Sequence, residues 1–288
     1  MRKLDEFQII NGDCVVEMQK LPDQSIDMVI TSPPYNVGLV YADNDWQDDR
    51  LDVSEYKKFA DRVMFQVARL LKVGGRACIE IGGSGRNLPL SWIWQDAAFS
   101  SGLQLYSEIV IDHRCTNLTA WGSYLKADNV RTIPNFHHLY TFYKESYTKR
   151  GKETSIEKDN WVKWTKGRWS INYSEKNPHP ASFPVELPAR CMKLFGHVGD
   201  VILDPFSGSG TTGIACKLHD RIYIGIEKEL EYYNLSVQRV FSQPVLLTLG
   251  GTTLPAPDAG ESAPLQADFF TPAESTSQTL PKPTPREY

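Results

Sequence analysis

The chain has 288 residues, 41% hydrophobic and 23% charged, with a formal net charge of −4. That composition suffices to bury one good-sized α/β core with a smaller inserted region, and no stretch approaches the length of a membrane span. The cysteines (Cys14, Cys78, Cys115, Cys191 and Cys216) and histidines (His113, His137, His138, His179, His197 and His219) show no metal-ligand spacing, so no residue is assigned to a metal. The start, Met1-Arg2-Lys3-Leu4-Asp5, lacks the apolar run of a secretory signal, and a cytoplasmic protein with reduced thiols is expected.

In chain order, Ile26-Asp27-Met28-Val29-Ile30 reads as a buried strand, and Thr31-Ser32-Pro33-Pro34-Tyr35 as the loop leaving its carboxyl end. Two adjacent prolines fix an extended path with few N–H donors. The loop therefore presents carbonyl oxygens, the Ser32 hydroxyl and the Tyr35 ring, groups that suit a planar base carrying an exocyclic amine. By itself it reads equally well as a rigid turn with a packed tyrosine. An acidic loop, Asp43 to Asp49, follows; its Trp46 and the preceding Tyr41 are lid candidates, though a solvated loop is the simpler reading. Asp52 or Ser54 can cap a helix reaching about Leu71, with Tyr56, Phe59, Val63 and Val67 on one stripe and Gly74-Gly75 as its stop. Ala77–Ile81 is the next strand, Leu90–Ser100 a helix and Leu103–Ile111 another strand, a βα succession that implies a largely parallel sheet covered on both faces.

Further along, Val201-Ile202-Leu203 places Asp204 at the end of a second buried strand. Pro205-Phe206-Ser207-Gly208-Ser209-Gly210-Thr211-Thr212 then makes a tight turn where Gly208 and Gly210 let a ligand approach the backbone. Thr211 to Leu218 reads as a helix whose N–H groups face that ligand. Ile222–Ile226 is the next strand, ending in Glu227, where a ribose hydroxyl pair is held in such folds. No Lys follows the glycines, which argues against a P-loop, and Asp204 would repel a pyrophosphate. Alone, the turn could be an ordinary strand–helix connection.

The loop and the turn, in this order, resemble the amino-group DNA methyltransferases that use S-adenosyl-L-methionine, in the permuted class with the catalytic loop first. His179-Pro180-Ala181-Ser182-Phe183-Pro184-Val185-Glu186-Leu187, just upstream of the turn, and Ile10-Asn11-Gly12-Asp13 add to the likeness, which covers roughly residues 7–240. It implies a Rossmann-like methyltransferase fold of the α/β class, a mostly parallel sheet with an inserted target-recognition region. It divides the chain into a catalytic half (1–111), the insertion (112–177), a cofactor half (178–242) and a low-complexity tail (243–288). The implied cofactor residues are Asp13 beside the adenine, Glu227 at the ribose, and Thr31, Phe183, Asp204, Phe206, Gly208, Gly210, Thr211 and Thr212 around the rest of the pocket. Ser32, Pro33, Pro34 and Tyr35 are the implied catalytic residues on a flipped base. Adenine-modifying members mostly carry Asp where this chain has Ser32, and Ser is typical of cytosine-N4 members, so N4-methylcytosine is expected and N6-methyladenine is the alternative. No cysteine sits in the Pro-Cys context of a ring-carbon methyltransferase. RNA or protein methyltransferases with a related loop generally place the cofactor turn first, and a non-catalytic DNA-binding module would need neither Asp204 nor Glu227.

The implied partner is double-stranded DNA. A cognate restriction endonuclease acting on the same site, and a monomer or a homodimer, are all compatible with the resemblance. Net charge alone argues against DNA, but Arg131 to Lys176 holds ten Lys/Arg against five Asp/Glu. Aromatics are interleaved there: Tyr140, Phe142, Tyr143, Tyr147, Trp161, Trp164, Trp169 and Tyr173. Basic residues neutralise phosphates and rings stack or wedge, so Arg131, Lys163, Lys166 and Arg168 are the DNA-contact candidates. Several of these rings must instead be core, and Lys144–Gly167 reads as loop-rich. After about Ser242, Pro, Thr, Ser, Ala and Glu dominate, a composition that cannot bury enough apolar surface to order itself. Ala267-Asp268-Phe269-Phe270 is the exception, a segment able to dock on a partner or on the body.

Overall fold

Side chains alternate across a strand, so a strand buried on both sides must feed two cores. The computed structural model of the chain, which describes residues 7–36, 51–82, 89–112, 136–151, 153–173 and 183–242, shows that pattern. In β2 (Ile26–Thr31), Val29 enters one apolar cluster while Met28 and Ile30 enter another. In β3 (Leu71–Gly82), Ala77, Ile79 and Ile81 face the first cluster and Cys78 the second. Leu203 and Ile202 divide in the same way in β7 (Val201–Asp204).

Helices cover each face. The first cluster takes Met18 from α1 (Cys14–Gln19), Tyr56, Val63 and Val67 from α2 (Val53–Leu70), and Ile93 and Trp94 from α3 (Leu90–Ser100). The second takes Leu187, Cys191 and Met192 from α5 (Glu186–Phe195) and Ala215 and Cys216 from α6 (Thr211–Leu218). Asp52 caps α2 in a reciprocal box: its carboxylate accepts from the Glu55 N–H at 2.8 Å while Glu55 accepts from the Asp52 N–H at 3.4 Å. Among the described residues, no helix is long and apolar enough to cross a membrane.

The remaining strands are β1 (Gln8–Asn11), β4 (Leu103–Asp112), β5 (Phe136–Lys144), β6 (Arg168–Ser170) and β8 (Ile222–Glu227). The sheet order is β1-β8-β7-β2-β3-β5-β4-β6. Every pairing is parallel except the two made by β5, which is antiparallel to β3 and β4. The carboxyl ends of the other strands and the amino end of β5 therefore share one edge.

Two expectations are corrected. Gly74-Gly75 does not stop α2, which ends at Leu70 and passes directly into β3. The pair occupies an irregularity in the β2–β3 register instead, where Gly74 adopts φ +77° and a Cβ on it would stand 2.7 Å from the Thr148 carbonyl oxygen. The range 112–177 is not simply an insertion, because β5 lies inside the sheet and buries Tyr140 and Phe142. The described residues of Lys144–Gly167 are mostly turn and loop, as expected, with one short helix, α4 (Lys158–Trp164), whose buried Trp164 accepts at its carbonyl from the Trp169 indole N–H at 2.8 Å. The acidic loop, Arg131, His179–Ser182 and the tail lie outside the described residues.

Phe142 serves as a test of the β5 placement. As a fully buried ring between β3 and β4, its replacement in Phe142→Ala should cost about 3–5 kcal/mol of stability in urea denaturation. A ring held for DNA contact would leave stability unchanged.

Candidate active site at the carboxyl edge of the sheet

Parallel strands deliver their last residues to one edge, here Asn11, Thr31, Gly82, Asp204 and Glu227. Asp204 is buried and fully engaged. It accepts from the Thr31 hydroxyl at 2.6 Å, the Thr212 hydroxyl at 2.6 Å and the Phe206 N–H at 3.1 Å. Burial raises its carboxyl to about 6, although all three donors favour the charged form. A carboxylate at this strand end could be expected to have little structural role. The contacts overturn that, because Asp204 ties the end of β2 to the end of β7 and the first turn of α6. Thr31 and Thr212, buried themselves, spend their hydroxyls bracing it.

Gly208 and Gly210 take φ of +51° and +80°, and the Gly210 N–H donates to the Ser207 carbonyl at 2.9 Å. A Cβ at Gly210 would stand 3.0 Å from Ser236 Cβ, so the tight turn packs directly on α7 (Leu230–Ser242). Glu227 closes the turn from the next strand: its Oε2 accepts from the Gly208 N–H at 2.7 Å and its Oε1 from the Glu229 N–H at 2.8 Å. Burial raises the Glu227 carboxyl, and each oxygen retains a lone pair for a further donor such as a hydroxyl. β1 pairs with β8 so that Asn11 lies opposite Glu227, and Asp13 then caps α1 by accepting from the Val16 N–H at 3.0 Å. Phe206 packs on Phe59 and Trp94 with ring centroids 5.9 and 6.3 Å away. Phe183 is buried in the cluster on the other face of the sheet, and Thr211 is buried at the start of α6.

The Pro-Pro-Tyr loop is held from three sides. Thr31 anchors its start, and the Tyr56 hydroxyl donates to the Pro34 carbonyl at 2.5 Å while accepting from the Trp94 indole at 3.0 Å. Asn36, at φ +54°, exchanges two hydrogen bonds with the Leu51 backbone at 2.7 and 2.8 Å, so residues 36 and 51 meet. The Tyr35 hydroxyl lies 3.2 Å from Ser32 Oγ and donates to Glu80 Oε2 at 2.9 Å. Glu80 Oε1 is bound by His137 Nδ1 and more distantly by the Tyr173 hydroxyl at 3.4 Å. Burial alone would raise the Glu80 carboxyl; the His137 cation and the Ser32 and Tyr35 hydroxyls hold it below its ordinary value. Burial likewise opposes the His137 charge, but Glu80 outweighs it and raises the imidazole.

Sequence reasoning missed Glu80, His137, Tyr173 and Tyr56. The available signal was a charged residue inside the apolar strand Ala77-Cys78-Ile79-Glu80-Ile81. The basic candidates divide. Lys163 and Lys166 are exposed, whereas Arg168 makes a bidentate pair with Asp112, both contacts 2.9 Å, at the end of β4. Among the described residues no three His, Cys, Asp or Glu side chains cluster as metal ligands.

The Asp204 contacts have a stability consequence. Asp204→Ala leaves two hydroxyls and an N–H without their acceptor, at about 1–3 kcal/mol for each group left unsatisfied. It should therefore lower the melting temperature as well as weaken cofactor binding. Because the folded carboxyl is raised to about 6 from 3.8, its contribution to stability is fully present below about pH 4 and lost as pH rises through 6. Asp204→Asn, which cannot titrate, should flatten the pH dependence of the unfolding midpoint across that window, with the curve of the original chain as reference.

A family model described as DNA methylase matches residues 26–238. The type II methyltransferase M2.MboI of Moraxella bovis is 30% identical over 262 residues, which cover 81% of this chain and 87% of that protein. TTHA0409 of Thermus thermophilus, solved with S-adenosyl-L-methionine, superposes with a TM-score of 0.64 at 25% identity, covering 81% of this chain and 94% of that one. The PvuII DNA methyltransferase, which is cytosine-N4-specific, shares the fold at a TM-score of 0.62 and 20% identity, covering 84% and 88%. With the family model spanning both the Pro-Pro-Tyr loop and the glycine turn, the chain belongs to the N6/N4 amino DNA methyltransferases and uses S-adenosyl-L-methionine as methyl donor.

Proposed function

We propose that this methyltransferase modifies the exocyclic N4 of a cytosine rotated out of double-stranded DNA. Ser32 carries the base assignment: a neutral hydroxyl, and not a carboxylate, opens the Pro-Pro-Tyr loop. The carboxylate bonded to Tyr35, Glu80, is also committed to His137. Ser32 Oγ and the Pro33 carbonyl accept the two amino hydrogens, which turns the nitrogen lone pair toward the methyl donor, and the Tyr35 ring stacks on the base. Pro34, held through its carbonyl by Tyr56, keeps the loop extended.

The strand ends fit the cofactor. Glu227 has lone pairs left for a ribose diol, Gly208 and Gly210 expose backbone at the turn, and Asp13 stands beside the strand pair that ends in Glu227. Phe206 and Phe183 supply apolar walls, and Thr31, Thr211, Thr212 and Asp204 fix the turn against the catalytic loop. S-adenosyl-L-methionine supplies a methyl group already activated on a sulfonium, so the remaining work is positioning, the term that holds reacting atoms in line. Base extrusion costs roughly a few kcal/mol and is offset by contacts to the DNA. Exposed Lys163 and Lys166, with Arg131 in the same basic segment, supply phosphate contacts for the target-recognition region, while Arg168 is already paired with Asp112.

Mass spectrometry of nucleosides from treated DNA tests the assignment. N4-methyldeoxycytidine is expected; methyl on deoxyadenosine would replace the cytosine reading, and methyl on a ring carbon would remove the mechanism. Glu227→Ala should weaken cofactor binding by about 1–3 kcal/mol in calorimetry, through loss of charge-assisted hydrogen bonds. Neutralising Lys163 and Lys166 together should flatten the salt dependence of DNA affinity by about one unit of slope per lost phosphate contact. An unchanged slope would move the DNA surface elsewhere.

A further inference from the structure

We infer that His137 is a positioning residue for methyl transfer: through Glu80 it fixes the Tyr35 ring against which the extruded base stacks. The inference rests on the stacking role given to Tyr35 above. Its physical basis lies in what holds the hydroxyl end of that ring. The hydroxyl end of the ring lies over Gly82, where a Cβ would stand 2.9 Å from Tyr35 Cε2, so the strand leaves room for the ring only because it has no side chain there. At that same end the hydroxyl is tethered to Glu80 Oε2 at 2.9 Å. Glu80 is the fixed point, and His137 is what keeps it an anion.

The antiparallel strand β5 makes this possible. Its register sets His137 opposite Gly82 and Leu139 opposite Glu80, so His137 sits diagonally from Glu80 on the same face. The imidazole stands edge-on to Tyr35 at 6.4 Å and to Tyr173 at 5.5 Å. Facing Glu80 are Ser32 and Tyr35 from the catalytic loop, His137 from β5, Tyr173 from beyond β6 and Cys191 from α5; His137 is the cation among them. Without that cation, a carboxylate 2% exposed would be driven to take up a proton and would lose its strength as an acceptor for Tyr35. Neighbouring Arg190 is engaged with Glu186 and lies over the Trp164 and Trp169 rings. The raised His137 and lowered Glu80 agree with a charged pair at neutral pH. As pH rises through the His137 value the imidazole loses its proton and Glu80 is left a buried anion without the cation that fixes its position, so transfer should slow on the alkaline side.

The test uses the full chain with 3-fluorotyrosine at position 35, read by fluorine NMR, beside single-turnover methyl transfer at saturating cofactor and DNA. His137→Phe keeps a ring between Tyr35 and Tyr173 but removes the cation. It should shift or broaden the position-35 resonance and slow transfer about tenfold or more, with cofactor affinity unchanged. Because an unpaired buried Glu80 can prevent folding, Glu80→Gln is the second variant; it retains an acceptor for Tyr35 without charge. In it the alkaline fall in rate should disappear. An unmoved resonance in both variants, or identical pH profiles for Glu80→Gln and the original chain, overturns the inference. So does an inactive Tyr35→Ala beside an unaffected His137→Phe, which would leave the stacking role intact. Full activity of Tyr35→Ala removes the stacking role and this inference with it.

Discussion

Asp204 accepts hydrogen bonds from Thr31 at the end of one strand, from Thr212 at the start of a helix and from the Phe206 N–H in the turn between them, almost wholly out of contact with water. Thr31 and Asp204 are 173 residues apart in sequence, yet this 2.6 Å contact decides where the Pro-Pro-Tyr loop stands relative to the glycine turn. Direct transfer of a methyl group leaves little covalent chemistry for the protein to do, so the rate depends on that relative position. A buried acid is a stiff joint for the purpose. Its donors cannot be exchanged for water, and moving one of them strands a polar group in the core.

Glu80 solves the other half of the placement by a different balance of charge. Both acids are buried, but Asp204 meets hydroxyls and one N–H and is pushed up, whereas Glu80 meets the His137 cation and is held down. The first is a neutral-donor cradle and the second an ion pair. The distinction follows from which elements arrive at each point: the amino end of the neighbouring α6 at Asp204, and the amino end of an antiparallel strand at Glu80. The glycine-turn side is braced by threonines and the Pro-Pro-Tyr side by a histidine.

The antiparallel strand also explains why the basic and aromatic stretch gave a mixed signal. Strand residues Tyr140 and Phe142 are core because β5 is inserted between β3 and β4, and Trp164 and Trp169 join the cluster on the opposite face. What reaches solvent there is chiefly Tyr147, Trp161 and the lysines Lys163 and Lys166. Arg168 answers Asp112 across the β4–β6 pairing, so one of the cations read as a phosphate ligand already has a carboxylate partner.

Much was legible from local sequence. Apolar runs ending in Asp204 and Glu227, the glycine turn, the helix from Thr211 to Leu218 and the capped helix after Asp52 depend on neighbours within a few residues, and all stand where their chemistry places them. The Ser-Pro-Pro-Tyr loop was likewise visible, because two prolines limit the backbone whatever surrounds them. What only the tertiary structure decided was partnership. Asp204 as a joint, Tyr35 tethered to Glu80, and His137 brought to the active edge all require strands distant in sequence to lie side by side. Hydrophobic periodicity reports which face of an element is buried and carries no record of which polar group it will meet there.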